Sequence, residues 1–118
     1  MSVTIFHNPA CSKSRATLAL IRDSGVEPRI VRYLETPPDR PRLEALLAAM
    51  ELRPRDLLRR GEAAYAELGL AEPSLSDARL IEAMLAHPRL IERPIVETPR
   101  GVRLCRPPER VREILDAP

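Results

Sequence analysis

The stretch His7-Asn8-Pro9-Ala10-Cys11-Ser12-Lys13-Ser14-Arg15 joins an apolar run to an amphipathic one through a cysteine, and the chain reads outward from it. Upstream, Val3-Thr4-Ile5-Phe6 is β-branched and aromatic, which predicts a short strand buried on both faces. Downstream, Leu18 and Ile21 fall at helical spacing with Ser14, and Gly25 supplies a stop. Strand, loop and helix N-terminus therefore meet at Cys11. The first amides of a helix lack partners within it, and the aligned peptide dipoles make that end positive. A thiol placed there ionises more readily, and the thiolate is the nucleophile. Lys13, Arg15 and a protonated His7 would add to the effect. The open amides of residues 12 to 15 also suit an anion, so Asn8, Ser12, Lys13, Ser14 and Arg15 form the candidate substrate-binding set. The plain alternative for Cys11 is a small core residue ending a strand.

A length of 118 residues predicts a single domain, with 44% hydrophobic and 31% charged residues as in an ordinary globular protein. No apolar run approaches the ~20 residues of a membrane span, and no signal-peptide pattern opens the chain. A cytoplasmic setting is expected, in which Cys11 and Cys105 stay free rather than paired. A net charge of +2 from 19 basic and 17 acidic residues leaves no polybasic block. Aromatic residues make up 3% and Trp is absent, so little is available for stacking bases. No nucleic-acid or membrane partner is expected. Lys13 is the single lysine, leaving arginine as 18 of the 19 basic residues. The planar guanidinium fork suits oxyanions, although its abundance here weakens the case for any one arginine.

Beyond Gly25, Arg29-Ile30-Val31-Arg32-Tyr33-Leu34 predicts a second strand and, with the first strand and helix, a βαβ unit. Pro37-Pro38 ends it. Asp39 caps a helix with Pro41 in its first turn and Leu43, Leu46, Leu47 and Met50 on one face. Short helical pieces are expected from Arg53 to Leu70, including Arg55 to Arg60, and Ser76 caps a further helix carrying Ile81, Met84 and Leu85. Two extended runs, Arg93–Pro99 and Gly101–Arg106, predict a hairpin, and Pro107-Pro108 opens a last helix with Val111, Ile114 and Leu115. The order is that of a thioredoxin-like α/β fold: a mixed sheet, βαβ…ββα, with a helical subdomain inserted at about 39–88 of a single domain spanning 1–118.

Several separated motifs in one order resemble the glutaredoxin-linked arsenate reductases. They are His7-Asn8-Pro9-Ala10-Cys11, Tyr33-Leu34-Glu35, Leu57-Leu58-Arg59, Glu67-Leu68-Gly69-Leu70-Ala71-Glu72, Arg93-Pro94-Ile95-Val96 and Arg103-Leu104-Cys105-Arg106-Pro107. The resemblance implies Cys11 as nucleophile and Arg59, Arg93 and Arg106 as the arginines that hold the arsenic oxyanion. It also implies His7 as a histidine favouring the thiolate, Ser14 as a serine near the same sulfur, and Pro94 as the cis-proline of the fold. Ser12-Lys13 departs from the pair that follows the cysteine in familiar members.

Arsenate reduction needs two electrons, and the position three residues after Cys11 is Ser14 rather than a resolving cysteine. An external thiol is therefore required. The resemblance supplies glutathione as co-substrate and glutaredoxin as partner, with no bound metal or cofactor and a monomer as the default. Bland roles stand beside these: Arg59 as a solvated helix-surface residue, Arg93 and Arg106 as strand-edge charges, His7 as a satisfied core histidine, and Cys105 as a structural strand residue. Two other functions fit the same fold, thiol transfer in the manner of a monothiol glutaredoxin, and RNA polymerase binding by an Spx-type regulator. The regulators usually sense through Cys-x-x-Cys, which is missing here.

Overall fold

A computed structural model describes residues 1–116 of the chain. Its strands are β1 (Thr4–Phe6), β2 (Arg29–Val31), β3 (Ile95–Thr98) and β4 (Gly101–Leu104). Its helices are α1 (Ser12–Asp23), α2 (Arg40–Met50), α3 (Ala63–Glu67) and α4 (Asp77–Ala86), with 3₁₀ segments at Pro54–Leu57, Pro88–Leu90 and Pro108–Glu113. The chain divides into two compact units, one formed by Met1–Thr36 with the chain from Arg93 onward, the other by Pro37–Glu92.

The first unit holds a four-stranded sheet in the order β2-β1-β3-β4. β1 runs parallel to β2 and antiparallel to β3, and β3 and β4 form the predicted hairpin. Ile5 is in register with Ile30 on one side and Val96 on the other. Ile5 and Val96 belong to a core cluster with Val3, Leu18, Ile21, Val111, Ile114 and Leu115, so α1 and the segment Pro108–Glu113 cover that part of the sheet. Full burial of each large side chain contributes about 1.5–3 kcal/mol. Gly25 ends α1 at φ +89°, a conformation a side chain would strain, with its N–H on the Arg22 carbonyl at 2.9 Å.

Departures from the sequence expectations have local causes. β2 stops at Val31 rather than Leu34, because the Arg32 carbonyl accepts from the Glu35 and Thr36 amides at 2.9 Å each and turns the chain. β4 stops at Leu104, so Cys105 and Arg106 lie just beyond the strand. The last helix is 3₁₀ rather than α: Pro107 and Pro108 offer no N–H, Arg110 N–H closes on the Pro107 carbonyl at 3.1 Å, and Ile114 N–H closes on Val111 at 3.1 Å. Its end is fixed by Thr98, whose hydroxyl donates to the Ile114 carbonyl at 2.6 Å and accepts from Arg100 N–H at 3.0 Å.

In the second unit α2 and α4 pack on each other, with Leu43, Leu46, Leu47, Leu80, Ile81 and Met84 buried. The caps are those the sequence predicts: Asp39 accepts from Arg42 N–H at 2.9 Å and Ser76 from Arg79 N–H at 3.1 Å. The expected helix over 55–60 is instead the 3₁₀ segment Pro54–Leu57 followed by an extended residue pair, Leu58 bridging Ile91 antiparallel. That bridge is closed on both sides, by Arg59 N–H on the Leu90 carbonyl and Glu92 N–H on the Leu57 carbonyl, each at 2.8 Å.

Candidate active site

β1 delivers the chain to the loop 7–11, and Cys11 becomes the N-cap residue of α1 with extended backbone. Arg15 N–H closes on the Cys11 carbonyl at 3.0 Å. The open amides of the first turn are therefore those of Ser12, Lys13 and Ser14, and Arg15 does not contribute one to the anion cradle. Cys11 is half-buried, while Ser12, Lys13 and Arg15 are exposed. Burial pushes the thiol pKa up, but the Ser14 amide, the Arg93 guanidinium and the Lys13 amide outweigh it and hold the pKa below the ordinary thiol value.

The cations named from the sequence are not the ones that act on this sulfur. Arg93 supplies the charge, from the residue before the cis bond to Pro94 that leads into β3. Lys13 contributes through its backbone N–H. Arg15 points back to donate to the Pro9 carbonyl at 2.8 Å. His7 is not a cation either: burial, then the neighbouring charges of Arg32, Arg22 and Arg15, lower its pKa and favour the neutral ring.

His7 and Ser14 nonetheless meet. His7 Nδ1 lies 2.6 Å from Ser14 Oγ, and Asn8 N–H donates to the same oxygen at 3.1 Å, with all three residues buried. Asn8 Oδ1 in turn accepts from Ala10 N–H at 3.0 Å, so Asn8 shapes the loop. The tautomer of His7 sets what Ser14 can do. With the proton on Nδ1 the ring donates to Oγ, and the Ser14 hydroxyl hydrogen is released toward other acceptors. With the proton on Nε2 that hydrogen is spent on the ring.

Arg106 lies after β4, and its Nη1 donates to the Arg93 carbonyl at 3.1 Å, bracing the backbone that presents Arg93 and Pro94. Cys105 amide donates to the Pro94 carbonyl at 2.9 Å. Cys105 itself is fully buried and burial pushes its thiol up to about 12, so it is a core residue rather than a second reactive sulfur. Arg59 lies in the helical unit and is not on a helix surface. It is 25% exposed, donates from Nη1 to Glu92 at 2.8 Å and sits 3.4 Å from Glu62 through Nε. These carboxylates were not singled out from the sequence; an acidic residue three positions after Arg59 was the available signal for Glu62. Among the described residues no cluster of three or more metal-capable side chains occurs, and no helix is long and apolar enough to cross a membrane.

A mixed β2-β1-β3-β4 sheet, a pKa-lowered thiol capping the helix after β1, and a cis-proline opening β3 together define a thioredoxin-like thiol protein. The profile of the ArsC family matches residues 6–114, and the chain belongs to that family. It is 59% identical over 114 residues to an arsenate reductase of Escherichia coli strain K12, covering 97% of this chain and 81% of that protein. Identity to an arsenate reductase of Rhizobium meliloti strain 1021 is 56% over 115 residues, covering 98% and 82%. Among solved structures, the arsenate reductase from Vibrio cholerae superposes with a TM-score of 0.93 at 49% identity, covering 98% of each chain.

Proposed function

We propose that this protein is an oxidoreductase that reduces arsenate to arsenite, with Cys11 as the nucleophile and glutathione and glutaredoxin as the electron source. The observation that carries the proposal is a thiol at the N-terminus of α1 whose pKa is lowered by the Ser14 amide, Arg93 and the Lys13 amide against the effect of burial. The thiolate attacks arsenic while the open amides of Ser12, Lys13 and Ser14 and the guanidinium of Arg93 take the charge on its oxygens. Arg106 contributes to the same oxyanion binding and braces the carbonyl of Arg93. His7 and Asn8 fix Ser14 beside the helix start, and Pro94 sets the backbone of Arg93. Arg59 is assigned to arsenic binding or product release on the strength of the family's sequence pattern.

In the overall reaction arsenate loses one oxygen as water and gains an electron pair, and two thiols are joined as a disulfide. This chain cannot supply the second thiol readily, because residue 14 is serine and Cys105 is buried with its pKa at about 12. Glutathione therefore attacks the Cys11-bound arsenic and glutaredoxin reduces the mixed product. No bound metal or cofactor takes part. The protein acts as a monomer in the cytoplasm, with the helical unit as an insertion in one thioredoxin-like domain. NADPH consumption coupled through glutathione reductase tests the proposal: turnover must require arsenate, glutaredoxin and Cys11, and full activity in Cys11→Ser would overturn it.

A further inference from the structure

The face of α1 that runs back from Cys11 carries a groove of about 470 Å³. Arg15, Leu18, Ala19 and Arg22 line it at the spacing that puts residues on one side of a helix, and Cys11 stands one turn ahead of Arg15 on that side, its carbonyl taking the Arg15 N–H at 3.0 Å. Pro9 and His7, from the loop that ends at Cys11, complete the wall near the thiol. All of these residues belong to the sheet-bearing unit. The electrostatics favour an anion. Arg32, Arg22 and Arg15 all place positive charge on the His7 ring. Arg22 is countered by Glu27 at 2.8 Å, and Asp23 brings a carboxylate to the far end of the wall. Arg15 is the cation held at the loop: its Nη1 donates to the Pro9 carbonyl at 2.8 Å, and its charge is not among those that act on the Cys11 sulfur.

A groove of this size is far larger than one tetrahedral oxyanion and falls within the ~300–1,000 Å³ of small-molecule sites. Pro9, Leu18 and Ala19 give it an apolar wall, which a bare oxyanion does not use and the body of a peptide does. We propose that this groove is the glutathione site, with Arg15 taking a carboxylate of the tripeptide and the apolar wall taking its chain, so that the cysteinyl thiol faces the arsenic on Cys11. The inference rests on the proposal above that glutathione is the external thiol. The lengths agree. Arg15 and Arg22 are about 10 Å apart along the helix axis, and an extended tripeptide reaches about 10–11 Å. Cys11 lies about 6 Å from Arg15 along the same axis, and the thiol and terminal carboxylate of glutathione are roughly two residue lengths, ~7 Å, apart. Holding the carboxylate at Arg15 makes the meeting of thiol and arsenic an encounter between two bound groups, which is where orientation saves most entropy.

S-Methylglutathione, which keeps both carboxylates and cannot react, is the probe, titrated into the isotope-labelled protein and followed by amide NMR. Saturable shifts are expected at Ala10, Arg15, Leu18, Ala19 and Arg22. Arg15→Gln weakens binding about tenfold, and Arg15→Lys retains part of it because the charge is kept. Ala19→Glu sets a carboxylate in the wall and weakens binding without touching the Arg15–Pro9 contact. In the coupled assay Arg15→Gln and Ala19→Glu raise KM for glutathione about tenfold and leave KM for arsenate and for glutaredoxin at wild-type values. No saturable shift at these amides, or shifts that neither variant weakens, overturns the inference. A KM rise confined to arsenate makes Arg15 an oxyanion residue, and one confined to glutaredoxin makes the groove a protein contact; either result overturns it as well. Binding of S-methylglutathione in the groove without arsenate turnover defeats the proposed reaction and leaves the site standing, whereas arsenate turnover without binding in the groove defeats the site alone.

Discussion

Replacing Arg93 with glutamine removes the guanidinium that stabilises the Cys11 thiolate, while the Ser14 and Lys13 amides stay in place. A hydrogen bond to a charged group is worth about 1.5–3 kcal/mol, and the partial exposure of Cys11 argues for the low end because solvent screens the charge. About 1.4 kcal/mol is a factor of ten, so on the rising limb of the titration the thiolate population falls by up to roughly tenfold. The direct readout is the rate of Cys11 alkylation by iodoacetamide from pH 5 to 9 under native conditions. Cys105 does not interfere, being buried with a pKa of about 12. The wild type alkylates with a titration limb below the ordinary thiol value, and in Arg93→Gln that limb moves up and the rate on its rising part drops by up to about tenfold. Arsenate reduction should fall further, by roughly a hundredfold or more, because in the proposed mechanism Arg93 also takes charge on the oxyanion. An unchanged alkylation limb in Arg93→Gln, with Cys11 still reactive, would refute the reasoning and leave the helix amides as the whole cause of the lowered pKa.

Ser14→Ala leaves His7 Nδ1 and the Asn8 amide without their shared oxygen in a buried setting, and urea denaturation should register a loss of about 1–3 kcal/mol. Burial lowers the His7 pKa in the folded protein, so the unfolded chain binds the extra proton first on acidification. Stability from this group is full above pH ~6.5 and is lost as the pH falls through the folded value, and the urea midpoint of His7→Gln should decline less across that window than the wild type's. Thr98→Val strips the Ile114 carbonyl and Arg100 amide of their common partner and should cost about 1–3 kcal/mol in the same experiment without altering the alkylation rate of Cys11. Cys105→Ala should leave steady-state turnover near the wild-type level; a collapse in rate would give Cys105 a chemical role that its burial argues against.

The order of elements was legible because its signals are local. Asp39 and Ser76 stand at the helix starts they were expected to cap, Gly25 takes the positive φ that ends α1, and Val3 and Ile5 alternate into the core the hairpin residue Val96 joins. The misread boundaries were set by bonds that cross between segments or by missing donors. The Arg32 carbonyl takes two amides and ends β2 early, and two prolines turn the last helix into a 3₁₀ segment. At the site, the cysteine and its helix terminus were readable from the strand–loop–helix pattern alone. Of the charges around it, Arg93 was placed at the site only by the family resemblance, since Lys13 and Arg15 are near Cys11 in sequence whereas Arg93 reaches the sulfur from the far end of the chain. Burial of His7 among arginines, which favours its neutral ring, likewise has no sequence signature.

The arginines grouped together in the sequence turn out to do unlike things. Arg93 commits its guanidinium to the sulfur, so its first effect is on the nucleophile before any substrate arrives. Arg106 spends Nη1 on the Arg93 carbonyl, which couples its substitution to the placement of Arg93 as well as to any charge it offers the substrate. Arg59 is engaged by Glu62 and Glu92, so its charge is largely countered. Their substitutions should therefore differ in kind. Arg93→Gln changes the pH dependence of the thiol, whereas Arg59→Ala leaves that dependence alone and acts on kinetic constants for arsenate. Arg106→Gln combines a binding loss with a weaker echo of the Arg93 phenotype, because an amide side chain is shorter and cannot hold the Arg93 carbonyl as the guanidinium does. Equal pH shifts in all the variants would mean that the arginines act as a diffuse positive field, and the specific contacts described for each would lose their explanatory role.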